Sequence, residues 1–169
     1  MLELDYPLDF MEAINRCLTD EGGYVCDPND PGGETNWGIS KRSYPDMDIK
    51  ALTREGAIAI YYRDWWDHYG YGQIRAGLSG KVMEVAINQG PHSAALALQR
   101  ALRAVSRNLF TQEDGILGKE TLAAVNSYAA PDALIAAFRS EAAAIYRMIV
   151  QAKPTSQQYL RGWLNRAYR

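Results

Sequence analysis

Apolar residues recur at intervals of three and four along most of the chain, which is the period of α-helices with one buried face. The first such helix is predicted to follow Pro7, with Asp9 as its cap, and to end before Gly22 and Gly23, which allow a left-handed exit. The segment 22–40 then contains five glycines and two prolines. This composition predicts a glycine-rich loop with room for a short β-hairpin.

Further helices are predicted wherever a capping residue or a proline precedes another apolar periodic segment. Apolar residues fill 80–89 almost completely, which predicts a helix at the centre of the core. The other predicted starts are Thr53, Ser93, Gly118 or Lys119, Pro131, and Thr155 with Gln158 as a capping box. The sequence has no alternating segment of sheet length. We therefore predict a mainly α fold, with a boundary between two lobes near residues 90–93.

Composition and charge narrow the class of protein. The chain has 169 residues, of which 47% are hydrophobic and 22% charged, so it can bury a core and is not disordered. Residues 1–90 carry a net charge of −7 and residues 91–169 a net charge of +5. The basic end favours either contact with an anionic polymer or membrane, or a solvated helix face. We expect no nucleic-acid partner, because the acidic half would repel phosphate.

The two cysteines and two histidines show no spacing typical of a metal site, so we expect no metal and no cofactor. No segment approaches the roughly 18 apolar residues of a membrane span. The first seven residues, MLELDYP, are acidic where a secretory signal would be basic and then apolar. We therefore expect a cytoplasmic protein unless it leaves the cell by another route.

Glu21 is the first candidate for chemistry. It lies three and four residues after Leu18 and Cys17, so it continues the apolar face of the first predicted helix and meets the negative end of the helix dipole. Both effects disfavour the carboxylate and should raise its pKa. Cleavage of a glycosidic bond requires such a protonated acid, because the leaving sugar oxygen must gain a proton. A glutamate exposed to water at a helix end is the alternative.

A glycosidase usually needs a second polar group on the other face of the sugar. Asp30 and Thr35 are the nearest candidates in the glycine-rich loop, where they would hold a water molecule or stabilise positive charge. Asp27 and Glu34 compete for this role, because a sequence does not measure the separation of two carboxylates. A tight turn at Asp30 is compatible with either assignment.

The run EGGYVCDPNDPGGETNWGIS, residues 21–40, resembles the signature of glycoside hydrolase family 108. This family comprises N-acetylmuramidases that occur as phage endolysins and as holin-dependent secretion muramidases. The resemblance implies a lysozyme-like helical domain with Glu21 as the catalytic acid and with Asp30 and Thr35 as its partners. The segments YRDWW, residues 62–66, and VAINQG, residues 85–90, resemble two further elements of the family.

The second half of the chain carries a separate resemblance. LQRAL, residues 98–102, and DGILGKET, residues 114–121, resemble a peptidoglycan-binding helical unit. Asp114 and the neighbouring glycines also suit a structural turn, so wall recognition and a purely structural role are both open. We predict a catalytic muramidase lobe over residues 1–90 and a peptidoglycan-binding-like helical lobe over residues 91–169, packed on it.

Sugar contacts are expected from aromatic and polar side chains, because pyranose rings present apolar C–H faces. The predicted substrate-binding residues are Tyr24, Asn36, Trp37, Tyr62, Trp66, Asn88 and Asp114. Glu84, one helical turn before Asn88, is either its partner in the cleft or an anchor between helices.

The resemblance implies an N-acetylmuramidase that cleaves the β-1,4 bond between N-acetylmuramic acid and N-acetylglucosamine in peptidoglycan. Two alternatives are a lytic transglycosylase, which gives anhydro products, and a non-catalytic wall-binding secretion accessory protein. Peptidoglycan is the expected partner, and a holin or cell lysis would release the enzyme from the cytoplasm to the periplasm or cell wall. The basic C-terminal helix is expected to add a weak contact with an anionic surface.

Overall fold

The computed structural model describes residues 6–21, 23–26, 33–106 and 112–169, with the backbone alone at Asp20 and Glu21. Within these ranges the chain forms seven α-helices and one small antiparallel sheet, so the prediction of a mainly α fold is confirmed. None of the helices in these ranges is long and apolar enough to cross a membrane.

The chain forms two compact units, Met1–Gly72 and Gln73–Arg169. The helix predicted over 80–89 is α3 (Ser79–Gln89), and it packs against α4 (Pro91–Val105) within the second unit. The assignment of a catalytic lobe to residues 1–90 and of a wall-binding lobe to residues 91–169 stays a prediction.

In the first unit, α1 covers Leu8–Glu21 and buries one side, as its periodicity predicts. The buried side chains are Phe10, Ala13, Ile14, Cys17 and Leu18. The prediction that Asp9 caps this helix is wrong, because the helix begins one residue earlier and Asp9 lies in its first turn. A carboxylate there complements the positive end of the helix dipole.

The glycine-rich segment contains the expected hairpin. β1 (Val25–Cys26), β2 (Glu34–Asn36) and β3 (Ile39–Ser40) form an antiparallel sheet in that order. Trp37 and Gly38 connect β2 to β3 with φ angles of 54° and 76°. Positive φ at both positions is typical of a type I′ turn, whose twist matches that of the paired strands.

The second helix, α2, covers Arg54–Tyr61. The Thr53 hydroxyl accepts a hydrogen bond from the Gly56 backbone N–H at 3.1 Å, which confirms the predicted cap. The helix continues as a wider π-helical segment over Tyr62–Asp67, and a 3₁₀ turn over Tyr71–Gln73 follows. The YRDWW segment, residues 62–66, therefore lies in this π-helical part.

In the second unit, the prediction that Ser93 caps a helix is wrong. α4 begins at Pro91, with Gly90 at φ 87° as the residue before it. Proline is favoured at the first helical position because the N–H that it lacks would have no helical acceptor there. This preference moves the start of the helix two residues ahead of the serine.

The remaining helices are α5 (Lys119–Ser127), α6 (Pro131–Ala152) and α7 (Leu160–Tyr168), and the first two begin at predicted residues. The capping box predicted at Thr155 is wrong, because Thr155 lies inside a 3₁₀ helix over Pro154–Tyr159. The Gln158 Nε2 donates to the Thr155 carbonyl instead, at 3.5 Å. α6 packs against both α4 and α7 and so forms the centre of this unit.

Candidate active site

Glu21 is the last residue of α1, three and four residues after the buried Leu18 and Cys17. Its position therefore continues the buried side of the helix into the C-terminal turn, where the partial negative charge of the helix dipole lies. These are the two features on which the sequence argument for a protonated acid rests. Asp30, its predicted partner, lies outside the described residues.

Thr35 is the middle residue of the middle strand. It pairs with Val25 in β1 and with Ser40 in β3. Because side chains alternate along a strand, Thr35 lies on the opposite face of β2 from Glu34 and Asn36. Pairing on both sides fixes the backbone that carries this half-buried hydroxyl.

Asn36 is buried and ties the sheet to the segment before α2. Its Nδ2 donates to the Ile49 carbonyl at 3.0 Å and to the Leu52 carbonyl at 3.1 Å. Both amide protons are therefore used inside the first unit. This gives Asn36 a structural role, and its contact with substrate stays a prediction.

Trp37 adopts a left-handed backbone conformation, which is rare for a bulky residue. Its indole N–H donates to the Leu52 carbonyl at 3.2 Å, and the Tyr61 hydroxyl donates to the Trp37 carbonyl at 3.2 Å. These bonds hold the backbone and fix the direction of the half-buried ring. The type I′ turn accounts for the positive φ of Trp37, and its contact with substrate stays a prediction.

Tyr24 lies directly before β1 and is 40% exposed. Its hydroxyl donates to Glu34 Oε2 at 2.9 Å, and this bond, together with burial and the neighbouring Cys26, raises the pKa of Tyr24 to about 12. The Lys50 ammonium lies 6.0 Å from the centre of the ring. Glu34, the alternative candidate for the second catalytic role, is therefore hydrogen-bonded to Tyr24, whose ring is accessible to solvent.

Tyr62 and Trp66 belong to an aromatic cluster beside α1. The Phe10 ring lies edge-on to both, with centroid distances of 5.1 Å to Tyr62 and 5.6 Å to Trp66. Trp66 is buried, and a Cβ added at Gly72 would lie 2.9 Å from its Nε1. Packing accounts for Trp66, whereas Tyr62 is half-buried. A sugar contact of either ring stays a prediction.

In the second unit, Asn88 and Glu84 connect α3 to α7. Asn88 Nδ2 donates to the Glu84 carbonyl at 2.7 Å, and Arg166 donates to Asn88 Oδ1. The Glu84 carboxylate, 1% exposed, accepts from Lys81 Nζ at 3.3 Å and from Arg169 Nη2 at 2.8 Å. Burial lowers the pKa of Lys81, and the interaction with Glu84 opposes part of this shift. This arrangement supports the anchoring role for Glu84.

Asp114 shapes the turn before α5. Its Oδ1 accepts from Gln99 Nε2 at 2.7 Å and from the Ile116 backbone N–H at 2.9 Å, and the Gln99 bond is the main cause of a lowered Asp114 pKa. Gln99, buried within α4, also accepts from the Gly115 N–H at 2.9 Å and donates to Thr121 Oγ1 at 3.2 Å. These bonds favour the structural role of Asp114, and its contact with the wall stays a prediction.

One polar cluster of the first unit was not predicted from the sequence. Asp64 Oδ2 accepts from the Tyr44 hydroxyl at 2.6 Å and from Arg63 Nη2 at 2.7 Å. The bond from Arg63 is the main cause of a lowered Asp64 pKa, while burial and the bond to Asp64 raise the pKa of Tyr44 to about 12. Because twenty residues separate Tyr44 from Asp64, no local pattern could reveal the pair.

Comparisons with known proteins agree with this arrangement. Residues 14–90 match the family model described as glycosyl hydrolase 108, and residues 93–168 match the model described as a predicted peptidoglycan domain. Comparison with curated proteins gave no match. Among solved structures, SagA of Brucella abortus is 31% identical over 95% of this chain and 90% of its own, with a TM-score of 0.71.

This likeness spans both units and supports the predicted lysozyme-like helical fold with a C-terminal helical lobe. The two family models together describe an enzyme that acts on glycosidic bonds and a domain directed at the cell wall. The chain therefore belongs to glycosyl hydrolase family 108 and is a peptidoglycan hydrolase.

Proposed function

We propose that the chain is an N-acetylmuramidase that cleaves the β-1,4 bond between N-acetylmuramic acid and N-acetylglucosamine, with Glu21 as general acid. The observation that carries this proposal is the position of Glu21 at the end of α1, in register with buried Cys17 and Leu18. A carboxyl carried at the negative end of a helix favours the protonated form. The proton is then available for the leaving sugar oxygen as the bond breaks.

Asp30 and Thr35 supply the second group of the proposed site. Thr35 supports this assignment because its backbone is fixed by strands on both sides. In the proposed reaction the Asp30 carboxylate and the Thr35 hydroxyl hold the attacking water or stabilise the oxocarbenium-like charge. Both interactions strengthen in the transition state and therefore act on turnover.

Two rings near the sheet, one exposed and one half-buried, bind the glycan in this proposal. Tyr24 offers a 40% exposed ring held by Glu34, and Trp37 offers an indole held by Leu52. Rings fixed in this way bind a pyranose face with little loss of side-chain entropy. The enzyme reaches its substrate through a holin pore or after cell rupture, and so serves lysis or holin-dependent secretion.

Product analysis of digested sacculi tests the proposal. A muramidase adds water across the bond, so reduction with borohydride labels N-acetylmuramic acid at the new reducing ends. A lytic transglycosylase instead gives an anhydro product that is lighter by one water and resists reduction. Labelled N-acetylglucosamine, or anhydro product alone, would contradict the proposed bond and chemistry, and no release at all would favour a wall-binding accessory protein.

A further inference from the structure

Lys50 belongs to a segment that the hairpin holds in place. Asn36 Nδ2 donates to the carbonyl of Ile49, directly before Lys50, at 3.0 Å and to the carbonyl of Leu52, two residues after it, at 3.1 Å. Trp37 Nε1 donates to the same Leu52 carbonyl at 3.2 Å. The backbone is therefore fixed on both sides of Lys50, while Lys50 itself is exposed.

The Lys50 ammonium lies against the ring of Tyr24. Its Nζ is 6.0 Å from the centre of the ring, at the outer limit of a cation–π contact, so the ring holds it weakly and its N–H groups stay available to an acceptor. The ring is fixed in turn, because its hydroxyl donates to Glu34 Oε2. Tyr24 directly precedes Val25, the partner of Thr35 in the sheet. A cation and an accessible ring are thus held together beside the strand that carries Thr35.

Lys50 is a positive charge in an acidic unit. Met1–Gly72 contains six cations and fourteen acids. Arg63 pairs with Asp64, whereas Lys50 forms no hydrogen bond or ion pair with any residue in the described part of the chain. A unit of this charge repels an anionic polymer such as peptidoglycan. An ammonium that remains available at the accessible ring lowers this repulsion and offers one point of attraction.

We propose that Lys50 determines specificity for N-acetylmuramic acid by binding a carboxylate carried on the lactyl group of this sugar. The inference rests on the proposed function, in which a pyranose stacks on Tyr24. N-acetylglucosamine has the same ring without the lactyl group, so it offers no carboxylate to the ammonium. In a bare strand the carboxylate belongs to the lactyl group itself, and in a substituted strand it belongs to the attached stem peptide. In both cases the contact distinguishes muramic acid from a neutral sugar of similar shape.

Binding of three soluble tetrasaccharides to the full-length chain tests the proposal. The first contains two N-acetylglucosamine–N-acetylmuramic acid repeats with free lactyl carboxylates, the second carries stem peptides on the same repeats, and the third is chitotetraose, which has no carboxylate. Affinities are measured by calorimetry with the Glu21→Gln chain as the parent, to prevent cleavage, at about 0.05 M and about 0.5 M salt. Arg42→Gln is the matched control for Lys50→Gln. Arg42 is an exposed cation of the same unit and follows β3, at the opposite edge of the sheet from β1.

Lys50→Gln should weaken the binding of a carboxylate-bearing ligand by about three- to fivefold at low salt and by less at high salt, as expected for an exposed ion pair. Chitotetraose should bind as before, and Arg42→Gln should bind all ligands as the parent does. Lys50→Arg should preserve the discrimination, because it keeps the charge. A loss confined to the bare repeats would identify the lactyl carboxylate as the acceptor, and a loss confined to the substituted repeats would identify the stem peptide.

Equal losses for chitotetraose and for the carboxylate-bearing ligands would overturn the proposal, because Lys50 would then contact the sugar ring or support Tyr24. An equal loss in Arg42→Gln would overturn it too, since attraction to the charge of the whole unit would explain both variants. Unchanged binding of both carboxylate-bearing ligands in Lys50→Gln, or no binding of them by the parent, would have the same consequence.

The proposed function fails by a different measurement. A chain with Glu21 that releases no N-acetylmuramic acid ends from sacculi would refute that function, while carboxylate-dependent binding through Lys50 would leave this inference standing. Conversely, release of those ends by a Lys50→Gln enzyme that binds all three ligands like its parent would refute only the inference.

Discussion

Replacing Asn36 by Ala separates the structural role of this residue from its predicted contact with substrate. Two hydrogen bonds are lost, to the Ile49 and Leu52 carbonyls. Neither carbonyl is left alone, since Leu52 O still accepts from Trp37 Nε1 and Ile49 O still accepts from the Leu52 N–H at 3.3 Å. The cost is therefore two net hydrogen bonds of about 1 kcal/mol each plus a small lost contact, or about 2–3 kcal/mol in total.

Asn36→Asp sharpens this prediction through its dependence on pH. An ionised carboxylate would face two carbonyl oxygens and would donate to neither, so the folded-state pKa of the new Asp rises above its unfolded value of about 3.9. The unfolded chain then binds fewer protons than the folded one between the two pKa values. The destabilisation is therefore complete at neutral pH and decreases as the pH falls through the raised pKa.

The free energy of unfolding is measured by denaturant titration, with Asn165→Ala, at an exposed position of α7, as the control. We expect the Asn36 variants alone to lose stability, and to lose activity only as far as they unfold. An Asn36→Ala protein of unchanged stability with a raised KM would refute the structural reasoning and establish Asn36 as a ligand contact.

Three further predictions concern Gly115, Asp114, and the pair Asp30 and Thr35. Gly115→Ala should lower the free energy of unfolding by about 1–3 kcal/mol, because Gly115 has φ 69° and an added Cβ would overlap the His92 ring. Gly118→Ala is the control, since a Cβ there meets no neighbour. Equal melting temperatures of the two variants would contradict the prediction. The pKa of Asp114 is lower in the folded protein than the value of about 4 in the unfolded chain, so its bonds stabilise the fold above pH 4 and are lost as the pH falls through the folded value. Wild type and Asp114→Asn should therefore differ in stability at pH 7 and converge in acid. A stability difference independent of pH would be evidence against this. Asp30→Asn and Thr35→Ala should lower kcat while sacculus binding stays near normal, whereas a larger loss in Glu34→Gln would move the second catalytic role to Glu34.

Much of the fold follows from the sequence because helices depend on local period. The starts of α5 and α6, the Thr53 cap and the hairpin between residues 22 and 40 are all local features. The errors at Ser93 and Thr155 have a common cause, since at both places a nearby proline determined where the turn began. Where a proline and a capping serine or threonine both favour a helix start, the sequence pattern does not show which start has the lower free energy.

Contacts between distant residues were not predictable in this way. Arg169 and Glu84 are 85 residues apart, and nothing in either segment indicates that one neutralises the other. The same holds for the amide of Asn36, a predicted substrate contact, which binds the chain before α2. A motif does not show which partners a polar residue has within the fold, and the contact of Asn36 with substrate stays a prediction.

Glu21 is proposed to provide the proton, and the rates of two matched variants distinguish this role from a structural one. Glu21→Gln keeps the size of the side chain and removes the transferable proton, while Glu12→Gln makes the same change at an exposed position of the same helix. The release of reducing ends from sacculi should fall by about two orders of magnitude or more in Glu21→Gln, with the circular dichroism spectrum unchanged, and should stay at the wild-type rate in Glu12→Gln. A Glu21→Gln enzyme that retains more than about a tenth of the wild-type rate would show that Glu21 is not the general acid, because such catalysis typically contributes about a hundredfold or more.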